Sequence, residues 1–157
     1  MAYGNYKQGI YKPINEDKWI VTQTFDMKEK AIKYRSGWEK RFCIFCDMND
    51  NIIKVNSEGM RVPYQNPITG KMSNYYLDFM METSDGKIWL IEIKPYAQTI
   101  PPKQPRKNAK NPQKAQKNYL KAVETYLVNE AKWKAAEALC KEKGWIFKII
   151  TEKELGI

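Results

Sequence analysis

The sequence predicts one α/β domain in which helices flank a mixed central β-sheet, and three observations lead there. Helical spacing from Ser36 gives way to a series of short strand patterns. A long helical stretch follows, with Tyr119, Leu120, Val123, Tyr126, Leu127, Trp133, Ala136, Leu139 and Cys140 in register. The run WIFKIIT at 145–151 then reads as a buried strand. The order helix, strands, hairpin, helix, strand suits a single layered domain, and 157 residues with 43% apolar content can bury its core.

Taken in order, residues 1–33 are polar and aromatic with weak periodicity, and are expected to form an N-terminal arm with at most a short strand, WIVTQTF at 19–25. The domain proper is expected over 34–157. Ser36 is a natural N-cap with Glu39 three residues on, and Trp38, Phe42 and Phe45 fall on one stripe. Asn49-Asp50-Asn51 ends that helix. Strands are expected near IIKVN and MRVPY, separated by Ser57-Glu58-Gly59, before the turn-rich NPITGKMSN at 66–74. A hairpin over 75–94 comes next, then a basic, proline-rich loop at 95–112. Asn129 is a candidate break that would divide the long helical stretch in two, and Gly144 closes it.

Lys and Arg total 27 against 18 acids, a net charge of +9 that favours a polyanionic partner, with nucleic acid ahead of membrane. No run of about 18 apolar residues occurs, so no membrane helix is expected. The N-terminal residues hold no apolar block of signal-peptide type, and a cytosolic setting with reduced cysteines follows. Histidine is absent altogether, which excludes every scheme that needs imidazole. Cys43 and Cys46 lack the companions of a zinc site and read as small core residues.

The hairpin is YYLDFMMETSDGKIWLIEIK. A two-residue turn would set Phe79 against Glu92, apolar against charged. A three-residue turn of Ser84, Asp85 and Gly86 instead pairs Met81 with Trp89, Phe79 with Ile91 and Asp78 with Glu92. Leu77, Phe79, Met81, Trp89, Ile91 and Ile93 then share one apolar face, and burial of that face selects the second register. Asp78 and Glu92 become cross-strand neighbours with Lys94 beside them. Like charges so placed are unfavourable without a cation between them. Oxygen ligands of this kind suit Mg²⁺ (with Mn²⁺ as an alternative), held by few carboxylates together with substrate phosphate. The bland reading is an ordinary charged cluster on a solvated face.

D-x13-E-I-K on a hairpin, preceded by a helix bearing an acid, resembles the PD-(D/E)XK nuclease superfamily. Leu77 stands where that pattern often has proline. Longer blocks, YRSGWEKRF, SEGMRVPY, NPITGK, YYLDF, IEIKP, a PP-x-x-P loop and KWKAAEAL followed by GWIFKIITE, resemble in order the head-completion nucleases of tailed phages. The chain is also similar to the endonuclease subunit of heteromeric transposases. These resemblances imply a restriction-endonuclease-like αβββαβ core. They imply a DNA nuclease, cutting internally or from ends, that acts on double-stranded DNA in the infected host's cytoplasm as phage heads are completed. Head or portal proteins would be its partners, and it would be associated with the virion.

On that reading Asp78 and Glu92 are metal ligands with the Ile93 carbonyl as a third. Lys94 orients the attacking water, offsets charge on the phosphate, or acts as base. Glu39 completes the site, against the plain alternative of a capping glutamate, and Glu58 stands behind it. Between Ile93 and Val123 lie eight Lys or Arg and no acid, the source of most of the net charge. Lys103, Arg106, Lys107, Lys110 and Lys114 are its candidate phosphate contacts, with Arg35 a lesser one; a solvated linker is the alternative. The rival functions are a DNA-end-binding head plug without catalysis and a transposition or restriction endonuclease.

Overall fold

A computed structural model describes residues 8–20 and 31–156. The elements are β1 (Gly9–Tyr11), β2 (Trp19–Ile20), β3 (Ile32–Tyr34), α1 (Gly37–Met48), β4 (Ile52–Ser57), β5 (Arg61–Gln65), β6 (Met72–Tyr76), β7 (Phe79–Thr83), β8 (Ile88–Ile93), α2 (Pro112–Lys143), β9 (Ile146–Ile150) and α3 (Glu152–Leu155). Five strands form the central sheet in the order β2-β4-β7-β8-β9. The middle pairs, β4 with β7 and β7 with β8, are antiparallel, whereas β2 with β4 and β8 with β9 are parallel. Counting α1, β4, β7, β8, α2 and β9 gives the αβββαβ order, and the mixed α/β class matches the expectation.

Apolar alternation fixes the hairpin register. Phe79 faces Ile91 and Met81 faces Trp89. Thr83 N–H donates to the Lys87 carbonyl, and Gly86 takes the left-handed φ of 85° that a three-residue turn requires. Phe79, Met81, Ile91 and Ile93 pack with Phe42 and Cys43 of α1 into one core. Leu90 points the other way, into a second core with Trp133, Ala136 and Cys140 of α2. Both sheet faces are therefore buried.

Four expectations need correction. The strand expected over 75–83 is broken. Leu77 N–H donates to the Met60 carbonyl and Glu58 N–H to the Asp78 carbonyl, so residues 77 and 78 follow the 58–60 turn instead of β8. Leu77 consequently joins the second core and not the face of Phe79, while β6 pairs with β5 in a hairpin of its own. On α1, Phe45 is 51% exposed, and the buried stripe runs through Glu39, Phe42, Cys43, Cys46 and Asp47. Asn129 does not interrupt α2, which continues for 32 residues. A mid-helix asparagine costs well under about 1 kcal/mol relative to alanine, less than the apolar face from Val128 to Cys140 contributes.

The described part of the N-terminal region, finally, is more structured than an arm with one short strand. It holds β1, a 3-10 turn at Glu16–Lys18 and β2. Residues 21–25 of the expected WIVTQTF strand lie outside the described residues. Trp19 is 1% exposed in the first core, and Asp47 of α1 anchors the segment before it. The Asp47 carboxylate accepts from the Tyr11 hydroxyl, the Ile14 and Asn15 amides and the Trp19 indole. Lys18 Nζ meanwhile donates to the carbonyls of Cys46, Asp47 and Asn49, capping the C-terminal end of α1. Among the described residues no helix is long and apolar enough to cross a membrane.

Candidate active site

The β7–β8 ladder ends at the pair Phe79–Ile91, and Asp78, just before it, lies near enough to Glu92 of β8 for their charges to interact. The Asp78 carboxylate accepts the Ile93 amide at 2.7 Å. Burial pushes this carboxyl well above the usual range; the negative fields of Glu92 and Glu39 add to the rise, and the Ile93 amide and Lys94 oppose it. Glu92 is 6% exposed. Its Oε1 lies 3.3 Å from Lys94 Nζ, and its Oε2 accepts the Tyr75 hydroxyl at 2.7 Å. Lys94 is positioned by its own backbone, whose amide donates to Ile150 at 3.0 Å and prolongs the β8–β9 ladder.

Glu39 reaches the same neighbourhood from the first turn of α1. Ser36 Oγ accepts the Glu39 amide, and Glu39 Oε2 accepts the Arg35 amide at 3.1 Å and the Ser36 hydroxyl at 3.3 Å. The capping reading of this residue is thus present in the geometry, and its field on Asp78 coexists with it. Burial, reinforced by the charge of Glu58, raises the Glu39 carboxyl above its ordinary value.

Glu58 sits in the Ser-Glu-Gly turn at a φ of 55°, a conformation that costs a residue other than glycine about 1–2 kcal/mol. Two contacts hold it there. Its amide binds the Asp78 carbonyl, and its carboxylate receives the Arg35 guanidinium through Nε at 2.9 Å and Nη2 at 3.3 Å. Arg35, expected as a phosphate contact, therefore has part of its charge engaged by Glu58, although its side chain is 61% exposed.

The structure brings Glu39, Asp78, Glu92 and Lys94 into one electrostatic cluster, with Glu58 and Arg35 linked to it through the Asp78 backbone and the Arg35 amide. Lys103, Arg106 and Lys110 line a cavity of about 550 Å³ together with Asn118 and Tyr119, whereas Lys107 and Lys114 are exposed outside that lining. An apolar cavity of about 450 Å³ between α1, α3 and the sheet contains none of the expected site residues.

The donor set is suited to a hard divalent cation. It offers carboxylate oxygens from two strands, whose mutual repulsion a cation would relieve, and no sulfur or imidazole. Among the described residues no group of three or more His, Cys, Asp or Glu is arranged to hold a metal ion. Such a cation would accordingly keep most of its ligands as water or substrate oxygen, as Mg²⁺ commonly does. Tyr75, whose hydroxyl donates to Glu92, escaped sequence reasoning. Within YYLDF the tyrosine reads as one more strand aromatic, and only the break at Leu77-Asp78 turns it towards Glu92.

A profile of the family described as TnsA-like endonuclease N terminal matches residues 49–152. The match spans β4 through β9 and includes Asp78, Glu92 and Lys94. The chain is also 40% identical over 140 residues to the protein named head completion nuclease of Enterobacteria phage T4, an alignment that covers 88% of this chain and 91% of that relative.

Proposed function

Since the chain belongs to the TnsA-like endonuclease N-terminal family and is closely related to a phage head completion nuclease, we propose that it is a divalent-metal-dependent DNA nuclease of phage head completion. The observation that carries this reading is that the Asp78 carboxylate accepts the Ile93 amide at 2.7 Å, next to Glu92, whose Oε1 lies 3.3 Å from Lys94 Nζ. Two acids and an amine held together in a chain without histidine form a unit fit for phosphodiester hydrolysis.

Asp78 and Glu92 hold the metal, Mg²⁺ or Mn²⁺, with the Ile93 carbonyl as a third oxygen. When bound, the metal supplies Lewis acidity towards the phosphoryl oxygen and lowers the proton affinity of a coordinated water. The Ile93 amide fixes the rotation of the Asp78 carboxylate. Lys94 directs its ammonium to where charge builds on the phosphate and orients the attacking water. Glu39 secures the Arg35–Ser36 corner of α1 and adds negative potential on the Asp78 side, while Glu58 holds the loop that carries the Asp78 carbonyl.

Lys103, Arg106, Lys107, Lys110, Lys114 and the exposed part of Arg35 bind the backbone of double-stranded DNA without reading sequence. The setting is the host cytoplasm during particle assembly, with head or portal proteins as partners and association with the virion. The test is cleavage of circular and linear duplexes by purified protein, with Mg²⁺ and with EDTA. Cleavage with Mg²⁺ alone is expected, abolished in folded Asp78→Ala and Lys94→Ala. Full activity in either folded variant ends the assignment. Cleavage of the linear duplex only would restrict the activity to ends.

A further inference from the structure

We propose that Tyr75 is the positioning residue for Glu92: its hydroxyl fixes which carboxylate oxygen turns towards Lys94 and the metal. The inference rests on the nuclease reading above and adds a residue to it.

The Tyr75 phenol is buried, with the residue 4% exposed, so no bulk water competes for its hydroxyl. That hydroxyl donates to Glu92 Oε2 at 2.7 Å, and the ring packs in the same core as Trp133 of α2. Glu92 is thereby pinned at one oxygen, which leaves Oε1 as the one presented to Lys94 at 3.3 Å.

The ring is itself held in place. Trp133 and Tyr75 both belong to the second core, and Lys132 Nζ sits 5.8 Å from the ring centroids of both Tyr75 and Tyr64. A hydroxyl on a ring packed in this way cannot follow Glu92 if that carboxylate rotates. Such outer partners of a metal-binding carboxylate are typically worth about 10–100-fold in metal affinity or activity.

Tyr75→Phe keeps the ring and removes only the hydroxyl. Its expected signature is a melting temperature near that of the parent and a kcat for DNA cleavage about 10–100-fold lower with KM for DNA unchanged. Mn²⁺ affinity, measured by calorimetry without DNA, should weaken by a similar factor of about 10–100. A folded Tyr75→Phe whose kcat and Mn²⁺ affinity lie within about twofold of the parent overturns the inference, against that expected loss. So does a Tyr75→Phe chain that fails to fold, since the hydroxyl would then serve the scaffold. If the parent neither cleaves DNA nor binds Mn²⁺, the nuclease reading itself has failed. An active parent matched by its variant removes only the role of Tyr75.

Discussion

Replacing Asp47 by alanine should detach the segment before β2 from α1 and lower the stability of the whole fold. Four donors converge on this fully buried carboxylate: the Tyr11 hydroxyl, the Ile14 and Asn15 amides and the Trp19 indole. Ile14 and Asn15 lie at the surface, so their amides recover water and each loses only about 0.5–1.5 kcal/mol. The Trp19 indole is 1% exposed and would be left unpaired, at a further cost of about 1–3 kcal/mol. With the Tyr11 bond included at about 0.5–1.5 kcal/mol, the sum is roughly 2.5–7.5 kcal/mol. For a chain of this size that corresponds to a fall in melting temperature of about 5–30 °C.

Acid dependence supplies an independent check. Burial alone would raise the Asp47 carboxyl, but the bonds from Tyr11, Ile14, Asn15 and Trp19 outweigh it and hold the group below its ordinary value of 3.8. In acid the unfolded chain then binds the proton more readily than the folded one. The contribution is therefore complete above about pH 5 and is lost as pH falls through 3.8 towards the depressed folded value. Thermal melts of the parent and of Asp47→Asn across that range should draw together on acidification. Amide exchange at Ile14 and Asn15 should be fast in either variant. Melting of Asp47→Ala within about 2 °C of the parent would refute the reasoning, and so would a gap that widens in acid.

Three further outcomes are expected. Changing Lys103, Arg106 and Lys110 together to alanine should weaken duplex binding irrespective of sequence. The slope of log affinity against log salt, measured by fluorescence anisotropy, should become shallower by about 0.9 for each phosphate contact removed. Gly144→Ala places a side chain at a φ of 73° where α2 ends; it should cost about 1 kcal/mol, or about 2–4 °C by calorimetry, since open space surrounds the site and only the backbone conformation is strained. Cys43 and Cys46, fully buried and with thiols driven upward by that burial, should resist an aromatic disulfide reagent in native buffer and react only on unfolding.

The hairpin register was legible because only one turn length sets Phe79 and Met81 against Ile91 and Trp89. Burial is a strong selector, and it acts on residues adjacent in sequence. Tyr75 was not legible for the opposite reason. Its contact with Glu92 depends on the chain leaving β8 at Leu77, and a leucine there suits either core. Asp47 did carry a signal. An acid in the last turn of a helix opposes the helix dipole and needs a local reason, and Lys18 with the four donors supplies it. Asn129 leaves α2 unbroken because its weak local propensity is outweighed by the apolar face that the helix presents over its second half.

The break at Leu77-Asp78 bears on any effort to graft this chemistry onto another scaffold. A minimal transplant of α1, β4, β7 and β8 would carry both acids and the lysine, yet omit the β5–β6 excursion as though it were ornament. That excursion brings Tyr75 back beneath Glu92, and a shortened copy would own all its reagents while lacking the brace that aims one of them.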